Sequence, residues 1–262
     1  KRVFYSFNDI DKRTANKSNK ILSKKKIKVK KILDNNFKNF YQSYFAIQKN
    51  IIPFIDAKIA ISKDYFTIKK GSKWITNYQS RNRAHLLRSQ YDCILSTSKS
   101  INKDNSLLNC RLNGFNHDKP DLAIIDLKLK IKKKLDLFKL KGKRKILIIT
   151  SNVKSKKISY FKKKVIKIVF IKSLKNKPDF ISLFMIFKRY GYSRILLESG
   201  LKFLNTLIKN KLIFNLYVFQ SSTKLRKFGS NNSTINFIKK MNLNKKIKVN
   251  LNGDNLYKVK IK

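Results

Sequence analysis

Short apolar runs set between lysine-rich stretches give this chain its pattern. Runs or alternations of about four to eight apolar residues read as strands, and recurrence at three and four residues reads as helix. Val3 to Ser6 reads as a short strand closed by a polar Asn8-Asp9 turn. A lysine-rich helix over Arg13 to Ser23, a strand over Ile27 to Val29 and a helix over Ile32 to Gln48 follow. This opening is a small β-α-β-α unit, and Pro53 closes it. From Phe54 the texture changes, and Phe54 to Ile61 reads as a full strand. Ala84, Leu87 and Tyr91 recur at helical spacing, and Thr76 with Gln79 has the spacing of a capping box. That predicts a helix over Asn77 to Gln90. Further strands are predicted over Cys93 to Thr97, Leu122 to Asp126, Ile146 to Thr150 and Val165 to Ile171. Phe180 to Tyr190 is an amphipathic helix that Gly191 stops. Arg194 to Leu197 is a strand, Glu198-Ser199-Gly200 a tight turn, Lys202 to Lys209 a helix and Leu212 to Phe219 an apolar strand. Lys246 to Asn250 and Leu256 to Ile261 read as a hairpin around Asn252-Gly253. Strands alternating with helices predict an α/β domain, its sheet largely parallel with a closing antiparallel hairpin.

Composition changes this picture little, apart from the charge. Of 262 residues, 42% are hydrophobic, which is enough for a sizeable core and argues against disorder over most of the length. The net charge is +49. One reading is binding to nucleic acid or an anionic membrane. The other is codon drift in a genome rich in A and T, which favours Lys, Asn and Ile and leaves only 7 Gly and 3 Pro. The lysines flank almost every apolar run instead of forming one patch, which favours drift. A weak, salt-dependent attraction for polyanions is still expected. Cys93, Cys110, His85 and His117 lack metal-ligand spacing, so no metal is expected, and the cysteines read as ordinary thiols of a reducing cytoplasm. No apolar run approaches the roughly 18–20 residues of a membrane span. A chain starting at Lys1 reads as processed or as a piece of a longer product.

Phosphate-binding loops, dinucleotide fingerprints, nucleophile elbows and zincin motifs are absent. Three segments stand out. Lys58 sits inside the strand Ile55 to Ile61, on the face opposite Ala57 and Ile59. It reads either as a cleft lysine for an anionic or carbonyl group or as a surface lysine on an edge strand. Arg81, His85 and Arg88 lie on one helical face after Gly71 to Thr76. They read either as a phosphate grip or as a solvated face, and Trp74 either as core or as the flank of a flat ring. Leu197 to Gly200 joins a strand to a helix, where α/β sheets place ligands and helix amides favour phosphate. An ordinary strand-to-helix turn is the plain alternative.

In order and separation, these segments resemble the reductase domain of the bifunctional riboflavin-biosynthesis deaminase/reductase. Pro53 to Asp64 is similar to the family's P-x-(I/V)-x-L-K-x-A-x-S-L-D-G strand, and Ser72 to Thr76 to its S-x-W-I-(T/S) motif. Leu86 to Leu95 resembles L-R-x-x-x-D-A-I-L, and Ser100 to Arg111 keeps Asp104, Leu108 and Arg111 of T-V-x-x-D-x-P-x-L-x-x-R. Pro120 to Asp126 resembles P-x-R-V-V-x-D, and Leu197 to Gly200 resembles V-E-(G/A)-G. The likeness covers roughly residues 45–262. Arg2 to Phe45 is similar to the end of the family's deaminase half, whose zinc motifs would lie before Lys1.

The resemblance implies a dihydrofolate-reductase-like three-layer α/β fold over residues 49–262, after a cytidine-deaminase-like remnant over 1–48 with no deaminase activity. It implies hydride transfer from NADPH to the ribose C1′ of a phosphoribosylamino-pyrimidine, and a homodimer. It places Lys58 at the reacting centre and Ser72, Arg88, Leu108, Arg111 and Glu198 on the substrate, Arg88 and Arg111 at its phosphate. It places Ile61, Trp74, Ser100, Asp104, Gly200, Leu201 and Lys202 on the cofactor side. Three departures bear on activity. Asp64-Tyr65 stands for the family's D-G, so that loop is expected to be rebuilt. Asn105-Ser106 lacks the family's proline, and Gly200-Leu201-Lys202 replaces G-P-T. A decayed, structural reductase fold and a basic nucleic-acid binder are the competing functions, and NADPH binding separates the second from the reductase.

Overall fold

The computed structural model describes the chain apart from residues 12, 16, 34–36, 38–40, 50, 117–118, 140–143, 234–242 and 244–245. His117 and much of the first half of the helix expected over 32–48 lie outside the described residues.

Strand β1 (Arg2–Tyr5), helix α1 (Lys17–Lys24) and strand β2 (Lys28–Lys31) come first, β1 and β2 pairing in parallel, and α2 (Gln42–Lys49) follows. None of the described residues before Ile52 is buried. The elements after Ile52 are β3 (Phe54–Ile61), β4 (Phe66–Lys69), α3 (Tyr78–Arg88), β5 (Cys93–Thr97), α4 (Ser98–Asp104), β6 (Asp121–Ile125) and β7 (Ile146–Thr150). Then come α5 (Lys157–Lys163), β8 (Lys167–Phe170), α6 (Lys177–Arg189), β9 (Arg194–Leu197), α7 (Leu201–Lys209), β10 (Asn215–Gln220), β11 (Gly229–Asn232) and β12 (Asn255–Lys260). Eight strands form one sheet in the order β12-β10-β3-β9-β5-β6-β7-β8. Every pairing is parallel except β12 against β10. Strands β4 and β11 form a separate antiparallel pair.

The period-2 geometry of β3 explains both core and site. Ile55, Ala57, Ile59 and Ile61 face one side, packed with Phe180, Phe184 and Phe187 of α6 and Leu204 and Leu207 of α7. The opposite face carries Ile94, Leu122, Ile124 and Phe219, packed with Leu87 of α3, Ile101 of α4 and Phe161 of α5. Burying each large apolar side chain contributes roughly 1.5–3 kcal/mol, and two such faces make the expected three layers. Asp56 and Lys58 project with the second face. Asp56 is closed by the Tyr91 hydroxyl at 2.6 Å and the Asn215 amide at 2.8 Å.

Strand positions follow the sequence reading closely, since β3, β5, β7 and β9 have the predicted bounds. Helix starts do not. The capping box at Thr76 is not formed: Asn77 is the N-cap and accepts from Ser80 N–H at 2.9 Å. Its own N–H donates to Asp254, and its side-chain amide donates to Leu251 O, so tertiary partners decide this cap. Helix α6 begins at Lys177, before the expected Phe180, because Asn176 caps it and Pro178 fits its first turn. Asn252 and Gly253 make the expected turn, with φ of 50° and 89°. The expected arm Lys246 to Asn250 is reduced to a bridge from Lys246 to Tyr257, and β12 pairs with β10 instead. Helices α4 and α5 and strands β4 and β11 were not anticipated from the pattern. Each is seven residues or shorter, too short for periodicity to register.

Candidate active site

Lys58 lies in the carboxyl half of β3, and Glu198 directly follows β9, the strand beside it. The register Ala57 with Leu197 therefore puts Lys58 and Glu198 next to each other on the α3 face. Lys58 Nζ stands 3.7 Å from Glu198 Oε2 and 5.5 Å from the centre of the Phe219 ring. Arg88, in the last turn of α3, meets the same carboxylate with both arms, Nε to Oε1 at 2.6 Å and Nη2 to Oε2 at 3.0 Å. Both cations and the carboxylate are largely buried. Glu198 is the only glutamate in the chain. Its backbone is fixed too, its N–H donating to Leu95 O and its carbonyl accepting from the Ser96 hydroxyl at 2.6 Å.

The third arm of Arg88 connects to a second layer. Nη1 donates to Asn109 O at 3.3 Å, and His85 Nδ1 lies 2.9 Å from that carbonyl. Arg111 N–H points at His85 Nδ1 at 3.2 Å, and Arg111 Nη1 donates to Asn109 Oδ1 at 2.7 Å. Lys58, Arg88, Arg111, Glu198 and the loop bearing Leu108 thus form one connected group. Of the two arginines expected at the phosphate, Arg88 has its bidentate fork engaged by Glu198, and Arg111 is exposed. Arg81 leaves the stripe altogether, stacking on Trp74 at 4.8 Å and donating to Thr76 O.

The electrostatics follow from burial and proximity. Burial works against the Glu198 charge, yet Arg88 and Lys58 outweigh it and hold the carboxyl at about 2. Burial pushes the Lys58 ammonium below its ordinary value, and Glu198 opposes that shift. The two directions are compatible because the shorter contacts of Glu198 are to Arg88, not Lys58. Burial, reinforced by the Arg88 and Arg111 charges, takes His85 down to about 4. A histidine that stays neutral when folded costs stability once the unfolded chain can protonate it. The unfolded value is about 6.5, so stability is complete above that and falls as pH drops toward 4. His85→Asn is expected to flatten this part of a plot of thermal midpoint against pH. An unchanged slope between pH 4 and 6.5 would assign it to other groups.

The cofactor-side candidates are placed unevenly. Ser100 Oγ accepts from Gly200 N–H at 3.2 Å, so the starts of α4 and α7 are brought together. Trp74 is half exposed, its N–H bonded to Ser72 Oγ. Asp104 and Lys202 are exposed. Ile61 and Leu201 point their side chains into the core, and Ile61 O is taken by Ser221 N–H, so neither side chain faces a cleft. Nothing in the sequence marked Asn109, Ser96 or Phe219. Ser96 carried one signal, a small polar residue inside the apolar run of β5.

Residues 53–225 match the family described as RibD C-terminal domain. The chain belongs to that family. It is the family that the six sequence segments resemble. A curated relative, the riboflavin biosynthesis protein RibD of Buchnera aphidicola subsp. Baizongia pistaciae (strain Bp), is 28% identical over 213 residues. That match takes in 76% of this chain and 53% of the relative, so the chain spans about half the relative's length. Among solved structures, RibD of Acinetobacter baumannii (form 1) superposes with a TM-score of 0.77 at 16% identity, covering 100% of this chain and 73% of that one. The deaminase/reductase of Thermotoga maritima gives 0.76 at 18%, covering 100% and 72%. The Saccharomyces reductase Rib7 gives 0.62 at 22%, covering 87% and 100%. These likenesses establish the RibD fold. At one departure from the RibD pattern, Tyr65 stands where the family has glycine and is left-handed at φ 69°. Ser233 donates to Tyr65 O through both N–H and hydroxyl, and Asp64 accepts from Leu225 and Arg226 N–H. These bonds offset a strain of roughly 1–2 kcal/mol.

Proposed function

We propose that residues 49–262 form a pyridine-nucleotide reductase of riboflavin biosynthesis. Its substrate is 5-amino-6-(5-phosphoribosylamino)uracil, the compound named for the Thermotoga maritima relative. The product is the ribitylamino pyrimidine. The observation carrying this reading is the buried Lys58–Glu198–Arg88 group at the carboxyl ends of β3 and β9, where an α/β sheet binds its ligand.

The cofactor side fits a pyridine dinucleotide. Gly200 caps α7 with no side-chain hydrogen bond, the first turn carries no acidic residue, and a Cβ on Gly200 would meet only Ser100 Oγ, at 3.8 Å. First-turn amides of α7 and the exposed Lys202 would take a phosphate, with Trp74 beside the ring system. When bound, NADPH supplies the hydride that arrives at C1′. The rest falls to this chain. Opening the sugar ring leaves the C1′–O4′ electron pair on O4′, which must take a proton. Lys58 holds that proton as an ammonium whose acidity burial has raised, and Glu198 orients it. Arg88 keeps Glu198 ionised, and Arg111 meets the 5′-phosphate.

Residues 1–48 fit the closing β-α-β-α of a deaminase-like unit, since β1 and β2 pair in parallel and bury nothing by themselves. A homodimer and weak polyanion binding accompany this reading. Among the described residues no helix is long and apolar enough to cross a membrane, and the buried free thiols of Cys93 and Cys110 suit a reducing cytoplasm. The test is NADPH oxidation at moderate salt with the pyrimidine as acceptor and the ribityl product identified. Turnover sustains the proposal. NADPH bound without turnover indicates a decayed reductase, and neither binding nor turnover overturns the enzyme reading in favour of the charge.

A further inference from the structure

Arg144 stands just before β7, on the far side of β6 from the ion cluster, and no motif singles it out. Its guanidinium is nevertheless held at all three nitrogens. Nε donates to Pro120 O at 2.7 Å, Nη1 to Leu107 O and Nη2 to Leu108 O. One planar fork therefore ties together the two ends of the connection between α4 and β6. Among the described residues no carboxylate lies within ion-pair distance of it. Its partners are backbone carbonyls, which answer its charge only partly, and burial pushes it down to about 10. A half-buried cation spent on three carbonyls is a costly way to hold a loop, and it bears on the loop's shape.

That shape is unusual. Leu108 is left-handed at φ 52°, although it is a branched residue with a buried side chain. The turn it makes aims the next carbonyl, Asn109 O, at Arg88 and His85, and the Asn109 side chain at Arg111. From Arg144 a continuous line of contacts runs through Leu108 and Asn109 to Arg88 and Glu198.

We propose that Arg144 is a positioning residue for the substrate end of the site, holding Leu108, Asn109 and Arg111 where a phosphorylated ribose meets them. This rests on the reductase reading for the identity of the ligand. Arg144 touches neither substrate nor cofactor. It acts through the loop, and only a guanidinium has the geometry, because a lysine ammonium would have to reach three carbonyls from one point.

The test uses the whole chain, with ribose 5-phosphate and NADPH as separate binding probes and the pyrimidine as substrate. Arg144→Lys is expected to raise KM for the pyrimidine, and Kd for ribose 5-phosphate, roughly 10–100-fold, with kcat and the NADPH constant within about threefold. Arg144→Ala should behave likewise and recover part of the loss in guanidinium ion at non-denaturing concentration. Hydrogen exchange adds a readout independent of turnover. The amides of Cys110 and Arg111 should lose protection in Arg144→Lys while those of β5 and β6 keep theirs. A folded Arg144→Lys with wild-type ribose 5-phosphate affinity overturns the proposal, as does equal weakening of both probes. Failure of the wild type to turn over counts against the reductase reading instead, and the exchange and ribose 5-phosphate measurements still decide the role of Arg144.

Discussion

Lys58→Met is expected to lower kcat with the pyrimidine roughly 10²–10⁴-fold, the range for losing a positioned proton donor. Methionine keeps the length and apolar stem of lysine and removes the proton. Phe219, over which the ammonium sits at 5.5 Å, should still pack against the new side chain. Glu198 keeps both arms of Arg88, so its charge remains matched and the fold should stand. NADPH affinity should be unaltered, because the ion pair and ring contact of Lys58 among the described residues are with Glu198 and Phe219, not with α7 or Trp74. Lys58→Arg separates charge from proton transfer. It keeps the cation but is too weak an acid to serve as a donor, so it should be nearly as slow. Lys58→Met turning over within about threefold of wild type would remove Lys58 from the chemistry.

Glu198→Gln is expected to be the most destabilising single change in this region. The amide keeps the shape but leaves the Lys58 and Arg88 charges buried side by side without their counter-ion. Breaking a buried pair this way costs about 3–5 kcal/mol. For a chain of this size that lowers the thermal midpoint by roughly 6–20 °C. The pH dependence should change too. Folded Glu198 titrates at about 2 and an unfolded glutamate near 4.3, so the pair's stabilisation is complete above about 4.3 and is lost as pH falls toward 2. Glu198→Gln should lack that loss. Adding Lys58→Met to Glu198→Gln removes one of the two stranded charges, so the double variant should melt above the single one. A double variant that melts lower, by the sum of the two single effects, would show that Lys58 and Glu198 are not coupled.

Much of this site was legible in the sequence, for reasons that can be named. Lys58 stood out because a lysine inside an apolar strand must face somewhere, and alternation put it opposite Ala57 and Ile59. Glu198 and Gly200 stood out because they sit where a strand hands over to a helix. Arg88 was legible from the helical stripe as well as from the resemblance to the RibD segments, Arg111 from the resemblance alone, and their division of labour from neither. Two arginines of like type read alike along a chain. Only the register of β3 with β9 shows that one fork closes on Glu198 while the other stays exposed. Ile61 and Leu201 came from motif position on the cofactor side, and packing puts both side chains in the core.

By itself the sequence determined the strand positions, the α/β alternation, the Asn252-Gly253 turn and the family. These depend on interactions within a few residues: side-chain period, turn conformation and short motifs. The tertiary structure alone decided the cap at Asn77, set by Asp254 and Leu251 from 177 and 174 residues away, and the left-handed Tyr65. It alone decided the Arg88–Glu198 pairing across 110 residues and the hold of Arg144 on the Leu108 loop across 36. Hydrogen bonds and charges act through space over a few ångströms, and which residues come that close is set by sheet order, which local pattern does not encode.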